Sequence, residues 1–171
     1  MALSLLVLLV PLLAIVWFFT VDPEPTVERV DVGPTLARAE EESPYPVLRP
    51  VNLPQEWVPT RVAWARDGER WITGEPAVGN AWQLGHLSPS GIYIGLQQRD
   101  RDPAGFLADI TRDGRRVGTE VVTAAGREWE HWQSDDGRTR SLVWRDGDLV
   151  AAVTGDTGFE ELAAFAQTLE A

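Results

Sequence analysis

The run GREWEHWQSDDG, from Gly126 to Gly137, places four carboxylates, one histidine and one serine within twelve residues. Histidine titrates near neutral pH, so His131 beside Glu130 is the pair from which a hydrolytic site would be assembled. A regular strand works against that pair. Its successive side chains point to opposite faces, so His131 and Glu130 reach one substrate only if a bulge intervenes. Ser134 has no nucleophile elbow around it, and Asp135 and Asp136 read as turn formers that bond locally. The second histidine, His86, sits near the end of another strand. The chain has no cysteine, and two isolated histidines without ligand spacing make a poor metal site. The glycines of GEPAVGNAWQLG fit neither a phosphate loop nor a dinucleotide fingerprint. The sequence thus nominates no catalytic residue, no metal and no cofactor, and His131 with Glu130 stands as the alternative site.

The elements that position these residues are short strands with turn punctuation. Asp-Gly pairs favour tight hairpins and occur at Asp67-Gly68, Asp136-Gly137 and Asp146-Gly147, with a further turn at Ser88 to Gly91. Strands are expected at 60–66, 69–73, 81–87, 92–99, 117–123, 127–134, 139–145 and 148–154. Two-residue loops would set Trp64 opposite Trp71, Trp129 opposite Trp144, and His131 opposite Leu142. They would also set Glu128 opposite Arg145, Arg145 opposite Asp148, and Trp144 opposite Leu149. Such pairs contribute about 0.2–1 kcal/mol each. On this register Trp129, Leu142, Trp144, Leu149 and Ala151 form the core face, which makes His131 a core or core-edge residue. One helix follows Asp102 as N-cap with Pro103 at the first helical position. Another follows Thr157, with Glu160 at capping-box spacing. The expected class is α+β: an antiparallel sheet with two helices packed on one face. Gly105-Phe106 echoes Gly158-Phe159, a weak sign of a duplicated ββα unit. Trp57, Trp82 and Trp132 are not accounted for by the paired core face and are the candidates for contact with a ligand or partner.

Residues 1–21 read as a transmembrane signal anchor. From Ala2 to Phe19 only Ser4 and Pro11 interrupt an apolar run, and no charge precedes Asp22. About 20 helical residues span a hydrocarbon core, so residues 2–20 are expected to lie in the lipid bilayer. No small residues mark a cleavage site in WFFTVDPEP. The acidic flank after the run favours a cytoplasmic N-terminus and an extracytoplasmic C-terminal domain. Residues 22–50, rich in proline and acid, read as a linker with a short helix in TLARAEEES stopped by Pro44. The extracytoplasmic domain is then 51–171. The net charge of −11 repels phosphate backbones, so no nucleic acid is expected as partner.

The span, the acidic Pro-rich linker and the ordered blocks YPVLRPVNLPQEWVPTRVAW, LGHLSPSGIYIGLQQRD, GREWEHW, SLVWRDGDLVAAVTGD and FEELAAFAQTLE resemble the actinobacterial membrane-protein family called domain of unknown function 4245. The resemblance implies a single-pass protein of the cell envelope and no activity. It also implies a charged stub before the span, whereas Met1 opens directly onto it here, which leaves open a start upstream of Met1. The favoured function is a non-enzymatic binding or protein-interaction domain in the envelope, for an envelope protein or an apolar ligand. The alternatives are a hydrolytic envelope enzyme and a purely structural module. A reporter enzyme active only outside the cytoplasm, fused after Ala171, is expected to be active. Mass spectrometry of the mature chain is expected to retain residues 2–20; a mature N-terminus near Val21 overturns the anchor.

Overall fold

The computed structural model describes residues 28–171; the anchor reading of 1–21 and the first part of the linker lie outside them. In chain order the described elements are α1 (Gly33–Glu42), β1 (Arg49–Pro50), β2 (Val58–Ala65), β3 (Ala81–Leu87), β4 (Tyr93–Arg99) and α2 (Pro103–Thr111). They continue with β5 (Arg115–Ala124), β6 (Arg127–Gln133), β7 (Arg140–Asp146), β8 (Leu149–Gly155), α3 (Phe159–Ala166) and β9 (Leu169–Glu170). Seven strands form one antiparallel sheet in the order β2-β3-β4-β8-β7-β6-β5, and β1 pairs with β9 in a separate ribbon. The class is α+β, and no helix among the described residues is long and apolar enough to cross a membrane.

Turn chemistry decides which expected registers form. His131 does pair with Leu142, in a β6–β7 hairpin whose tip spans Ser134 to Thr139. Trp144 faces Ala151, not Leu149, and Arg145 faces Val150, not Asp148. In that hairpin Gly147 alone has positive φ (+59°), so Gly147-Asp148 forms the loop in the manner of a II′ turn. The slip is two residues, so each side chain stays on its expected face. At Asp67-Gly68 the positive φ is at Gly68 only (+78°), and Glu69 N–H donates to Arg66 O (2.9 Å). That is the pattern of a type II turn, which splays strands. Residues 69–73 therefore form a loop, and Trp64 lies opposite Trp82 instead of Trp71. A two-residue loop with positive φ at both positions is found at Ala125-Gly126.

The helices correct a second expectation. α2 begins as the sequence suggests, with the Asp102 carboxylate accepting from Gly105 N–H. The capping box at Thr157 and Glu160 does not form; Gly158 is the N-cap, and the Thr157 hydroxyl bonds Glu161. The two helices lie on opposite faces of the sheet, not on one. Phe165 and Leu162 of α3 join Leu84, Leu96, Leu142 and Val153 in the main core. Phe106 and Leu107 of α2 pack on Val143, Val150 and Ala152 of the other face. The apolar run Leu149–Val153 needs cover on both sides, which alternation on one face would not predict. A two-fold relating the antiparallel neighbours β4 and β8 would leave both helices on one face, so the ββα echo does not describe this architecture.

The linker reading of 22–50 is corrected where it falls among the described residues. α1 packs on β2, and Ala39, Tyr45, Val47 and Leu48 are buried. Leu48 N–H donates to Gln98 Oε1 (2.6 Å), Gln98 Nε2 donates to Pro46 O (3.1 Å), and Trp82 Nε1 donates to Leu48 O (2.9 Å). The folded unit therefore begins well before Val51. Gln98→Leu leaves the buried Leu48 N–H without an acceptor and is expected to cost about 2–4 kcal/mol. Gln97→Leu, one residue away on the other face, is expected to cost under about 1 kcal/mol. Urea unfolding of the two variants checks the difference, and amide exchange in residues 33–48 should rise in the first alone.

Candidate functional site

The structure separates the pair nominated in the sequence. His131 is half-buried with its ring 4.3 Å from that of Phe159, on the α3 side of the sheet. Its Nε2 is buried and has no partner among the described residues. Glu130 points to the α2 side, where it accepts from Arg116 (3.0 Å), Arg145 (2.8 Å) and the Trp132 indole (3.1 Å). Arg145 thus takes Glu130 as its carboxylate where Glu128 was expected. No bulge brings His131 and Glu130 together, and three donors already occupy the carboxylate.

The tryptophans divide. Trp82 has no exposed surface and fills the core, so it is unavailable as a contact residue. Trp57 is half-buried with its ring 5.4 Å from Phe165. Trp132 is half-buried beside the α2 cluster, with Arg145 over its ring at 5.9 Å. The surfaces of Trp57 and Trp132 are therefore largely used in packing.

A different feature was not visible in the sequence. On the α2 side, the β7–β8 half of the sheet is covered by Phe106 and Leu107, whereas the β3–β4 half carries no helix. The loop after β2 covers one margin of that half, with Trp71 and Ala77 packed on Ala63, Ala65 and Ala81. Between this loop and α2 runs a groove of about 350 Å³, lined by Trp71, Ile72, Val78, Phe106 and Ile110 at its walls and Gln83, Gln97 and Arg99 on its floor. A second hollow of about 500 Å³ adjoins it beyond Asp109 and Ile110, and includes Tyr93 and Thr154.

The floor is set by register. Gln83 faces Gln97 across β3 and β4, flanked by Ala63 and Ala152. Arg99 faces Ala81, and Arg61 faces Gly85. Alanine and glycine beside long polar residues give the floor its depth. A Cβ at Gly85 would overlap the Tyr93 ring, which lies across it. The odd-numbered positions of QLGH and YIGLQQR carried this pattern, but Gln97 and Gln98 look alike in sequence.

Of the floor's polar atoms, Arg99 Nε is the one buried without a partner within the described residues. Gln83 is 4% exposed and its side chain makes no hydrogen bond within the described residues. Elsewhere in the domain, the half-buried Arg49 lies 3.2 Å from Glu40, Arg127 donates to Ala125 O and Arg140 donates to Thr157 O. Arg99 has no such acceptor among the described residues. Its guanidinium sits 4.9 Å over the Phe106 ring, and its Nε is buried without a partner among the described residues. Burial pushes its pKa down, with Asp109, Asp102 and Tyr45 opposing that shift.

The model of the family described as Protein of unknown function (DUF4245) matches residues 1–169, and the chain belongs to that family. No curated protein and no solved structure matches the chain.

His86 gives the domain a pH-sensitive point. It is 6% exposed in the main core, with its ring 5.8 Å from Phe165 and its Nδ1 without a partner among the described residues. Burial, assisted by the positive charge of Arg29, lowers its pKa to about 4. An unfolded histidine binds its proton near pH 6.5. The unfolded state therefore takes up the proton first as pH falls. Stability should be lost between about pH 6.5 and 4, by on the order of 2 kcal/mol at pH 5. His86→Leu is expected to flatten this part of the stability profile, measured by urea unfolding from pH 7.5 to 4.5.

Proposed function

We propose that this member of the family is a tethered binding module of the cell envelope. In this reading residues 2–20 anchor the chain in the plasma membrane with the N-terminus cytoplasmic. The α+β domain outside holds a segment of an envelope protein in the groove between α2 and the loop after β2. The supporting observation is the floor. Arg99 Nε is buried and unpaired within the described residues, and it stands beside Gln83 and Gln97 between apolar walls. Buried polar groups are costly unless paired, and a bound segment with its own donors and acceptors would pair them. A tether adds effective concentration to a modest groove, because partner and module share one surface.

Ile72 and Val78 support the same reading. They are 49% and 46% exposed at the groove's rim, where apolar side chains add to a contact surface. A photo-crosslinking residue placed at Ile72 in the full chain, in intact cells, is expected to give a discrete adduct. The same residue at Val117, on the far edge strand, is expected to give none. Gln97→Trp fills the groove floor and should remove the Ile72 adduct without loss of the folded protein. Equal adducts from both positions, or an Ile72 adduct indifferent to Gln97→Trp, would sink the proposal.

A further inference from the structure

We infer that the groove is built for the carboxyl-terminal end of an extended peptide, with the terminal carboxylate on Arg99 and the last peptide groups on Gln83 and Gln97. The inference rests on the groove being the binding site and adds the chemistry of what it takes. A guanidinium presents planar donors that match a carboxylate in a bidentate pair. Arg99 is half-buried against Phe106 and has no acceptor among the described residues. A carboxylate there would satisfy the donors and offset the cost of burial.

The two glutamines specify the remainder. A primary amide both donates and accepts, as a peptide group does. Gln83 and Gln97 stand opposite each other, so they can present a donor and an acceptor to one segment. Gln97 and Arg99 are two residues apart on one face of β4, roughly 7 Å along the strand. An extended ligand advances at the same rise, so a carboxylate on Arg99 sets a peptide group about two residues back beside Gln97. Trp71 and Ile72 on one side, and Phe106 and Ile110 on the other, offer apolar surface to the side chains of that segment.

The charge pattern agrees. The chain carries −11 overall, yet the groove is lined by Arg61 and Arg99 against Asp109. Asp109 is exposed on α2 and makes no ion pair with Arg99 within the described residues, so it does not occupy the guanidinium. A fatty acid would also offer a carboxylate, but an acyl chain calls for an enclosed apolar tunnel, not a floor of two amides. A phosphate would seek several charge-assisted donors converging on one point. Arg61 stands four strand positions from Arg99, on the register of their partners Gly85 and Ala81, which is roughly 13 Å along the sheet.

The test uses the full chain in lipid nanodiscs and two pools of N-acetylated tetrapeptides randomised at every position. One pool has free carboxyl termini and the other has C-terminal amides. Mass spectrometry of retained peptides is expected to show at least tenfold greater enrichment from the acid pool. Arg99→Gln should remove that preference while the near-UV circular dichroism stays unchanged. Arg61→Gln should leave the preference in place. Nitrogen-15 NMR of the side-chain amides of Gln83 and Gln97 should shift saturably with an enriched peptide. Equal retention of the two pools, or no retention from either, overturns the inference. So does competition by dodecanoate or inorganic phosphate at the affinity of the enriched peptide. If Gln97→Trp still removes the Ile72 adduct in cells while the pools are retained equally, the groove stands and the carboxylate inference falls. If the adduct persists in Gln97→Trp, the groove itself is not the site.

Discussion

One polar clamp inside the core connects the N-terminal segment to everything else. The Gln98 amide and the Trp82 indole hold the backbone of Pro46 and Leu48 against the sheet. Each bond is made where water is excluded, so loss of one partner leaves the other costly. The clamp also fixes what precedes and follows it. Tyr45, next to the clamped segment, donates its hydroxyl to Asn80 O (2.9 Å), and Asn80 in turn donates to Asp100. α1 sends Arg38 to Glu69 and accepts the Trp64 indole on Glu42. Glu69 is held far below the usual carboxylate range, to about 2, chiefly by the Arg66 N–H and guanidinium. These contacts seat the loop that carries Trp71. The wall of the groove on one face is thus supported by a segment bound to the other.

The sheet is unequal across its width. Its β7–β8 half is covered on both sides, by α3 on one and α2 on the other. The β3–β4 half has the main core on one side and a polar floor on the other. The helix after β4 crosses to the β8 side instead of covering its own strand. That crossing leaves small residues such as Gly85, Gly95 and Ala63 without a helix above them, and gives Gln83, Gln97 and Arg99 a common space.

The sequence made some of this readable. The pairing of His131 with Leu142 followed from centring the turn on Asp136-Gly137, and the longer tip that forms keeps that centre. The Asp102-Pro103 start of α2 followed from capping chemistry. The β7–β8 register needed the turn type, and the same Asp-Gly dipeptide served differently at three places. Residues 28–50 looked like a solvated spacer because few of them are apolar. Their burial depends on Gln98 and Trp82, more than thirty residues away, and local composition carries no sign of that. Gln97 and Gln98 show the limit most plainly. They are identical neighbours, yet one is a core clamp and the other lines a groove, and only strand parity with a known core face separates them. Trp82, nominated as a contact, was misread for the same reason: its partner lay in the supposed spacer.

The position of β8 beside β4 has a consequence for the order in which the chain can assemble. Their paired residues lie about 50 to 60 positions apart, so the sheet's centre joins two hairpin sets that form separately. β2–β4 and β5–β8 each have local pairings that close early, whereas the seam between them must await long-range encounter. Until β8 arrives, β4 presents an unpaired edge. β9 then completes the ribbon with β1. A chain emerging N-terminus first cannot finish its central seam until β8 has been made. Its partly built states therefore expose an adhesive edge for most of that interval, and a destabilised variant would be expected to aggregate through β4 before it unfolds elsewhere.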